Sequence, residues 1–404
     1  MTSLNEKSGS WSWMALLVLL LLLVAIPLLR KKKEGSHKAL SQVAFQIPQW
    51  KETSLQEDPY YVEEVIDPQA PYSMAHVASM SELADGTLAA LWYGGSRELA
   101  SDVALYFATK APGDSSWSKL KVVMTREQAA QELHTYVKGL GNALLFGERE
   151  GALHLLYVTV SFGQWSGSRV NMTSSSDGGQ HWKKSTPLYL SPFFNLATLV
   201  KNTPLPLLGG GWAIPIYQEF LGKFPEILWL FPSTNDSYEI RKSRIAGGCS
   251  FFQPSLCALT EKKALCFCRD YRSARKIWCT ETLDTGKTWA PAHPIDLPNY
   301  DSAVAALALD ERTILLAFND GDHQARNQLS LALSKDEGHS WIRLATIAQE
   351  PQGDFCYPYF FRSHDGLIHL LYSWQRRNIH HISLNKAWID HQLMLSSPPL
   401  QVQY

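Results

Sequence analysis

Carboxylates, arginines and tyrosines recur in this chain beside short apolar runs, at the places where a strand would begin or end. Strand starts carry His76, Tyr136 with Lys138, Asn202, Asn299 with Asp301, and Tyr357. Strand ends carry Arg97 with Glu98 and Asp102, Tyr217 with Glu219, Arg269 with Tyr271 and Arg272, Asn319 with Asp320 and Asp322, and Trp374 with Arg376. Each residue alone reads as a solvated rim side chain or a loop cap. Brought to one axis, they have the make-up of a site that breaks glycosidic bonds. There one acidic group protonates the leaving oxygen while a nucleophile or base acts from the other face.

A repeat must bring them together, and two are visible. A turn followed by an apolar run recurs at Asp85-Gly86, Glu150-Gly151, Gly210-Gly211, Lys262-Lys263, Glu311-Arg312 and Asp365-Gly366. Its period of about 50 to 65 residues belongs to propeller blades and not to helical solenoids. The second repeat runs Ser175-Ser176-Asp177-Gly178-Gly179-Gln180-His181-Trp182, Thr282 to Trp289, and Ser334 to Trp341. Each copy has a hydroxyl residue, Asp two on, Gly four on and Trp seven on. Hydroxyl and carboxylate can accept backbone N–H groups in a tight turn, Gly supplies a conformation closed to other residues, and Trp drops onto the sheet. Weaker forms stand at Pro112–Trp117 and at Ser233–Tyr238, with Tyr in the Trp place. Strand alternation puts both kinds of turn at one end of the propeller and the polar residues at the other. Tyr60–Val65 is expected to supply the last blade's outer strand and close the ring.

With 404 residues, 45% hydrophobic and 14 Trp, the chain can bury a large core. A net charge of −1 gives no electrostatic case for nucleic acid, whereas the aromatic content suits sugar faces. Trp11 to Leu29 holds no charged residue, long enough for one membrane crossing and a contact with the lipid bilayer. The expected divisions are a tail (1–10), a transmembrane anchor (11–29), a stalk (30–59), an all-β six-bladed propeller (60–395) and a C-terminal tail (396–404). The six cysteines match no zinc pattern and read as buried thiols, so no metal or other cofactor is expected. Asn171 and Asn235 head possible glycosylation sequons.

The three full repeats resemble the Asp-box of the sialidase (neuraminidase) superfamily. Trp92-Tyr93-Gly94-Gly95-Ser96-Arg97-Glu98 and Asp354-Phe355-Cys356-Tyr357-Pro358 are similar to stretches of exo-sialidase-like proteins, and the similarity covers roughly residues 70 to 385. The resemblance implies a Tyr nucleophile, matched by Tyr357; a Glu that polarises it, matched by Glu219; and an Asp acid/base, matched by Asp102. It also implies three arginines that clamp a carboxylate, with Arg97, Arg269, Arg272 and Arg376 available. His76, Tyr217, Asn299, Asp301 and Trp374 are the further substrate contacts. Sialidases carry Phe-Arg-Ile-Pro where this chain has Met74-Ala75-His76-Val77, so the arginine set is incomplete. The expected substrate is therefore a glycan, acidic but other than ordinary sialic acid. A polysaccharide lyase, or a propeller that only binds glycan or protein, remains open on the same fold. The resemblance implies an extracytoplasmic propeller, although Arg30-Lys31-Lys32-Lys33 after the apolar run argues the opposite.

Overall fold

The computed structural model describes residues 43–47, 57–147, 151–191, 195–220, 222–233, 237–271, 274–321 and 326–396. They form an all-β propeller of six antiparallel blades, each four strands deep. Blade 1 runs Met74–Glu82, Leu88–Gly95, Ala104–Lys110 and Lys121–Thr125 from the axis outward, and the next four follow the same plan. Neighbours cover both faces of a blade, so its inner strands read as continuous apolar runs. All eight residues of Leu153–Val160, the second strand of blade 2, are buried.

The Asp-box turns explain how blades are stapled. Ser175, Thr282 and Ser334 each donate a hydroxyl to the following Asp (2.7, 2.9 and 2.8 Å) and accept the N–H of Gly179, Gly286 and Gly338 (2.9, 2.8 and 2.8 Å). Asp177, Asp284 and Asp336 accept the N–H of His181, Thr288 and Ser340, all at 2.9 Å. The closed turn leans on the preceding blade: Trp182 meets Phe107 edge-on at 6.1 Å, and Trp341 meets Phe267 at 5.5 Å. The weaker forms do the same work. Trp117 packs on His381 of blade 6, and Tyr238 donates to or accepts from His154 of blade 2 at 3.0 Å. Backbone bonds from Thr285 to Lys262 and from Glu337 to Arg312 join this turn to the first hairpin of its blade, so both lie at one end.

Tyr61–Val65 pairs with Asn378–Leu384 and closes the ring, as the sequence suggests. Glu64 of this strand meets Lys110 and His381, and Glu63 meets His380 and Tyr372. A helix, Lys386–Ser396, follows the last strand where none was expected. It buries Ile389 and Leu393 against blades 5 and 6.

The expected placement as a single-pass membrane protein with an external propeller is corrected. Among the described residues no helix is long and apolar enough to cross a membrane. Residues 11–29, on which the anchor and the bilayer contact rested, lie outside the described residues, as do Asn235 and Arg272. Five cysteines are buried thiols and Cys249 is an exposed one. Asn171 is buried, donating to Tyr157 O and Thr159 Oγ1, which leaves no room for a glycan.

Candidate active site on the propeller axis

Four inner strands break register at the same point as they start from the working end: between His76 and Ser79, Leu140 and Ala143, Phe252 and Ser255, and Cys356 and Tyr359. Each break is a β-bulge, a device that re-aims side chains. Val77, Gln253 and Tyr357 in three of these bulges adopt left-handed backbone, φ 51°, 50° and 54°. For such residues this conformation costs about 1–3 kcal/mol. Neighbouring blades hold it in place: Ser79 Oγ accepts the N–H of Leu145 in blade 2, and Ser255 Oγ that of Ala306 in blade 5, both at 2.9 Å. Gln253 and Tyr357 consequently line one axial cavity of 150 Å³.

Two guanidinium groups, of Arg269 and Arg326, lie beside Tyr357, and a third, of Arg376, lies beside Glu98. Arg269 is buried, donates to Asp301 (2.8 Å) and Gln253 (3.0 Å), and packs over Phe252. Burial works against its charge, but Tyr357 and Asp301 beside it raise its pKa. Arg326 lies 5.8 Å from the Tyr357 ring centroid and donates to the Asp301 carbonyl at 2.9 Å. Arg376 bonds Asp354 at 2.5 Å and approaches Glu98 to 3.5 Å. Arg326 and Arg376 also line an adjoining polar cavity of 640 Å³ between blades 4 and 6.

His76 packs edge-on against Tyr357, 4.5 Å between centroids, and is wholly buried. Its Nδ1 is 3.2 Å from Ser373 Oγ, and its Nε2 is 3.3 Å from Glu98 Oε1 but off the line of a good hydrogen bond. Burial lowers its pKa, outweighing the pull of Glu98, so the ring is neutral. Contact with His76 and the charges of Arg376 and Arg326 hold the Glu98 carboxyl below its ordinary range against the effect of burial. In the tautomer whose Nδ1 accepts from Ser373, the Nε2 proton faces the Glu98 carboxylate.

Glu219 lines the axial cavity with Tyr357 and pairs with Lys223 at 3.1 Å. The Lys223 ammonium lies over Phe252 and Tyr271. Tyr217 is buried beneath, its hydroxyl accepting from Asn142 (3.0 Å) and Gln253 (3.1 Å), with its pKa raised by burial and by Glu219. Asp102 is exposed and accepts from Ser96 N and Oγ, both at 2.9 Å, closing the loop that carries Glu98. Arg97 is exposed on that loop. Asn299 braces blade 4, accepting Asp270 N at 3.1 Å and donating to Ser302 O at 2.9 Å. Trp374 stacks on His380, 5.5 Å between centroids, toward the outside of blade 6.

Strand starts and ends thus bring His76, Glu98, Tyr217, Glu219, Arg269, Asp301, Tyr357 and Arg376 together. Sequence reasoning missed Arg326, Lys223 and Gln253. Arg326 precedes the third strand of blade 5, Gln328–Ser334, which starts from the same end as an inner strand, so third-strand starts carried the signal. Gln253 is in the bulge, where alternation fails. Among the described residues no group of His, Cys, Asp or Glu could hold a metal ion.

A six-bladed propeller with Asp-box staples and a polar cavity on its axis is the architecture of the sialidase-like superfamily. The chain belongs to the family described as BNR repeat-like domain, whose model matches residues 86–370. Among solved structures it is similar to the Hadza microbial sialidase Hz136 (TM-score 0.63, 14% identity, 78% of this chain and 66% of that one). The Trypanosoma rangeli sialidase solved with 2,3-difluorosialic acid as a covalent intermediate matches at TM-score 0.60 and 12% identity, over 87% of this chain and 60% of that one. A Dyadobacter fermentans protein of unknown function matches at TM-score 0.65 and 14% identity, over 81% of this chain and 99% of that one. This chain therefore spans less than two thirds of the length of those sialidase chains. No curated protein matches.

Proposed function

We propose that this protein is a glycoside hydrolase acting on an acidic glycan, with Tyr357 as its nucleophile. The observation that carries the reading is that Arg269 and Arg326 lie against Tyr357, at a cavity that also holds Glu98 and Glu219, with Arg376 beside Glu98. A phenol suits an anionic substrate, because it carries no charge to repel it until a base takes its proton. Glu219 accepts that proton as Tyr357 Oη attacks the anomeric carbon. Glu98 donates a proton to the leaving oxygen, then takes one from the water that releases the sugar, while Glu219 returns its proton to the departing Tyr357 oxygen. Asp102 ties the Ser96 loop and so holds Glu98 in place. The T. rangeli sialidase, solved as a covalent intermediate, supports this order of events by likeness of fold.

His76 favours a second reading. A neutral imidazole beside a tyrosine could serve a lyase, one group removing the proton next to a uronate carboxylate and the other protonating the leaving oxygen. Turnover of a panel of sialosides and uronate oligosaccharides by wild type and Tyr357→Phe separates the two. Hydrolysis yields a reducing sugar without new ultraviolet absorbance, and elimination yields an absorbing unsaturated uronate. Binding without turnover across the panel would overturn both.

A further inference from the structure

The inner strand of blade 3 is broken. Its pieces, Thr198–Val200 and Leu205–Pro206, flank a segment that leaves the sheet and reaches the inner strands of three other blades. Asn202 Nδ2 donates to Pro254 O of blade 4 at 2.8 Å, and Thr203 Oγ1 to Phe360 O of blade 6. Lys201, only 3% exposed, donates its ammonium protons to Asn202 Oδ1, to Pro358 O of blade 6 at 3.0 Å, and to Val304 O beside blade 5 at 3.5 Å. This segment separates the axial cavity from a 730 Å³ cavity at the opposite mouth, which Thr203 and Pro204 line.

Filling an axis does not require a charge. Burying an ammonium with no carboxylate partner costs several kcal/mol, and an apolar chain of equal length would fill the space more cheaply. What the cation adds is a directional hold on Pro358 O, the carbonyl immediately after Tyr357, whose φ of 54° is strained. We propose that Lys201 is a positioning residue for Tyr357: by gripping the Pro358 and Val304 carbonyls it fixes the bulge that sets the phenol between Arg269 and Arg326. The inference rests on the reading that Tyr357 is the acting group.

The charged and titratable groups facing Lys201 are Arg269 from blade 4 and the Cys356 thiol from blade 6. Burial and then Arg269 lower the Lys201 pKa, Cys356 opposes them, and the outcome is about 7. Near neutrality the ammonium loses one of its three protons and the grip on the bulge slackens.

The test follows the Tyr357 ring directly, by NMR of protein labelled with ring-¹³C tyrosine, with the Tyr357 signal assigned by its loss in Tyr357→Phe. In wild type that signal moves with a midpoint near pH 7. In Lys201→Met it is displaced at all pH values and no longer titrates; in Lys201→Arg, permanently charged, it does not titrate either. A wild-type signal that stays fixed between about pH 5 and 9, or one that titrates identically in Lys201→Met, overturns the proposal. Should the Met variant not fold, wild type and the Arg variant decide the matter. The readout needs no substrate, so failure to find turnover leaves it standing. Where turnover is found, Lys201→Met lowers kcat by about tenfold or more with KM held within about twofold.

Discussion

The imidazole of His76 meets the ring of Tyr357 edge-on at 4.5 Å, across the seam where the first blade abuts the sixth. Both residues stand in bulged inner strands, so the two ends of the propeller sequence meet at the phenol proposed to act.

Replacing Tyr357 by Phe keeps the ring and its packing against His76 while removing the oxygen. Turnover is expected to fall by at least about a hundredfold. The melting temperature should stay within about 4 °C, since only the contact of the hydroxyl with Arg269 is lost. Calorimetry and a turnover assay on one preparation check both.

Glu98 serves as proton donor only when protonated, and His76, Arg376 and Arg326 keep its pKa below the ordinary 4.5. kcat/KM is therefore expected to rise as the pH falls from neutrality toward that value. Arg376→Ala removes one of the charges holding Glu98 ionised and should move the profile to higher pH. Glu98→Gln should abolish this limb. A profile unchanged in Arg376→Ala would remove Glu98 from the proton-donor role.

The closing seam of blade 6 should set acid stability. His369 and His381 are buried 2.9 Å apart, and burial lowers both pKa values. Unfolded histidines bind protons below the ordinary 6.5 while the folded ones resist, so stability falls as the pH drops below 6.5. Glu64 adds a second step: against burial, His381 and Lys110 hold it at about 2, so its contribution is present above 4.5 and lost as the pH falls toward 2. His369→Leu is expected to flatten the first step of melting temperature against pH and leave the second.

Gly179 has φ 87°, and a Cβ there would stand 2.5 Å from Phe107 Cζ of the preceding blade. Gly179→Ala should cost about 2–4 kcal/mol in chemical denaturation, from the forced backbone and the clash together. It lies at the end away from Tyr357, so kcat per folded molecule should be unchanged. A loss of kcat at full folding would contradict that separation.

Blade number, ring closure and the two ends of the propeller were legible in the sequence because they rest on local, repeated chemistry: turn residues every blade and apolar runs between them. The clustering of several strand-start and strand-end residues at one end of the propeller was legible for the same reason. Gln253 and Tyr357 owe their setting to bulges, which no alternation pattern announces, and Arg326 depended on counting third strands as well. Lys201 looked like any chain lysine; its burial follows from a break in blade 3 that only the assembled axis explains. The closing helix Lys386–Ser396 was hidden because its apolar residues are spread around the helix and not gathered on one face, with only Ile389 and Leu393 buried.

The pairing of Tyr61–Val65 with Asn378–Leu384 has a further consequence, for biosynthesis. The first strand of the ring emerges from the ribosome with its partner still more than three hundred residues away. It must wait, unpaired, while five blades are made. Completion is thus withheld until the last strands are translated, and a transcript cut short by one blade would leave an open arc with a sticky edge at both ends, a natural mark for quality control.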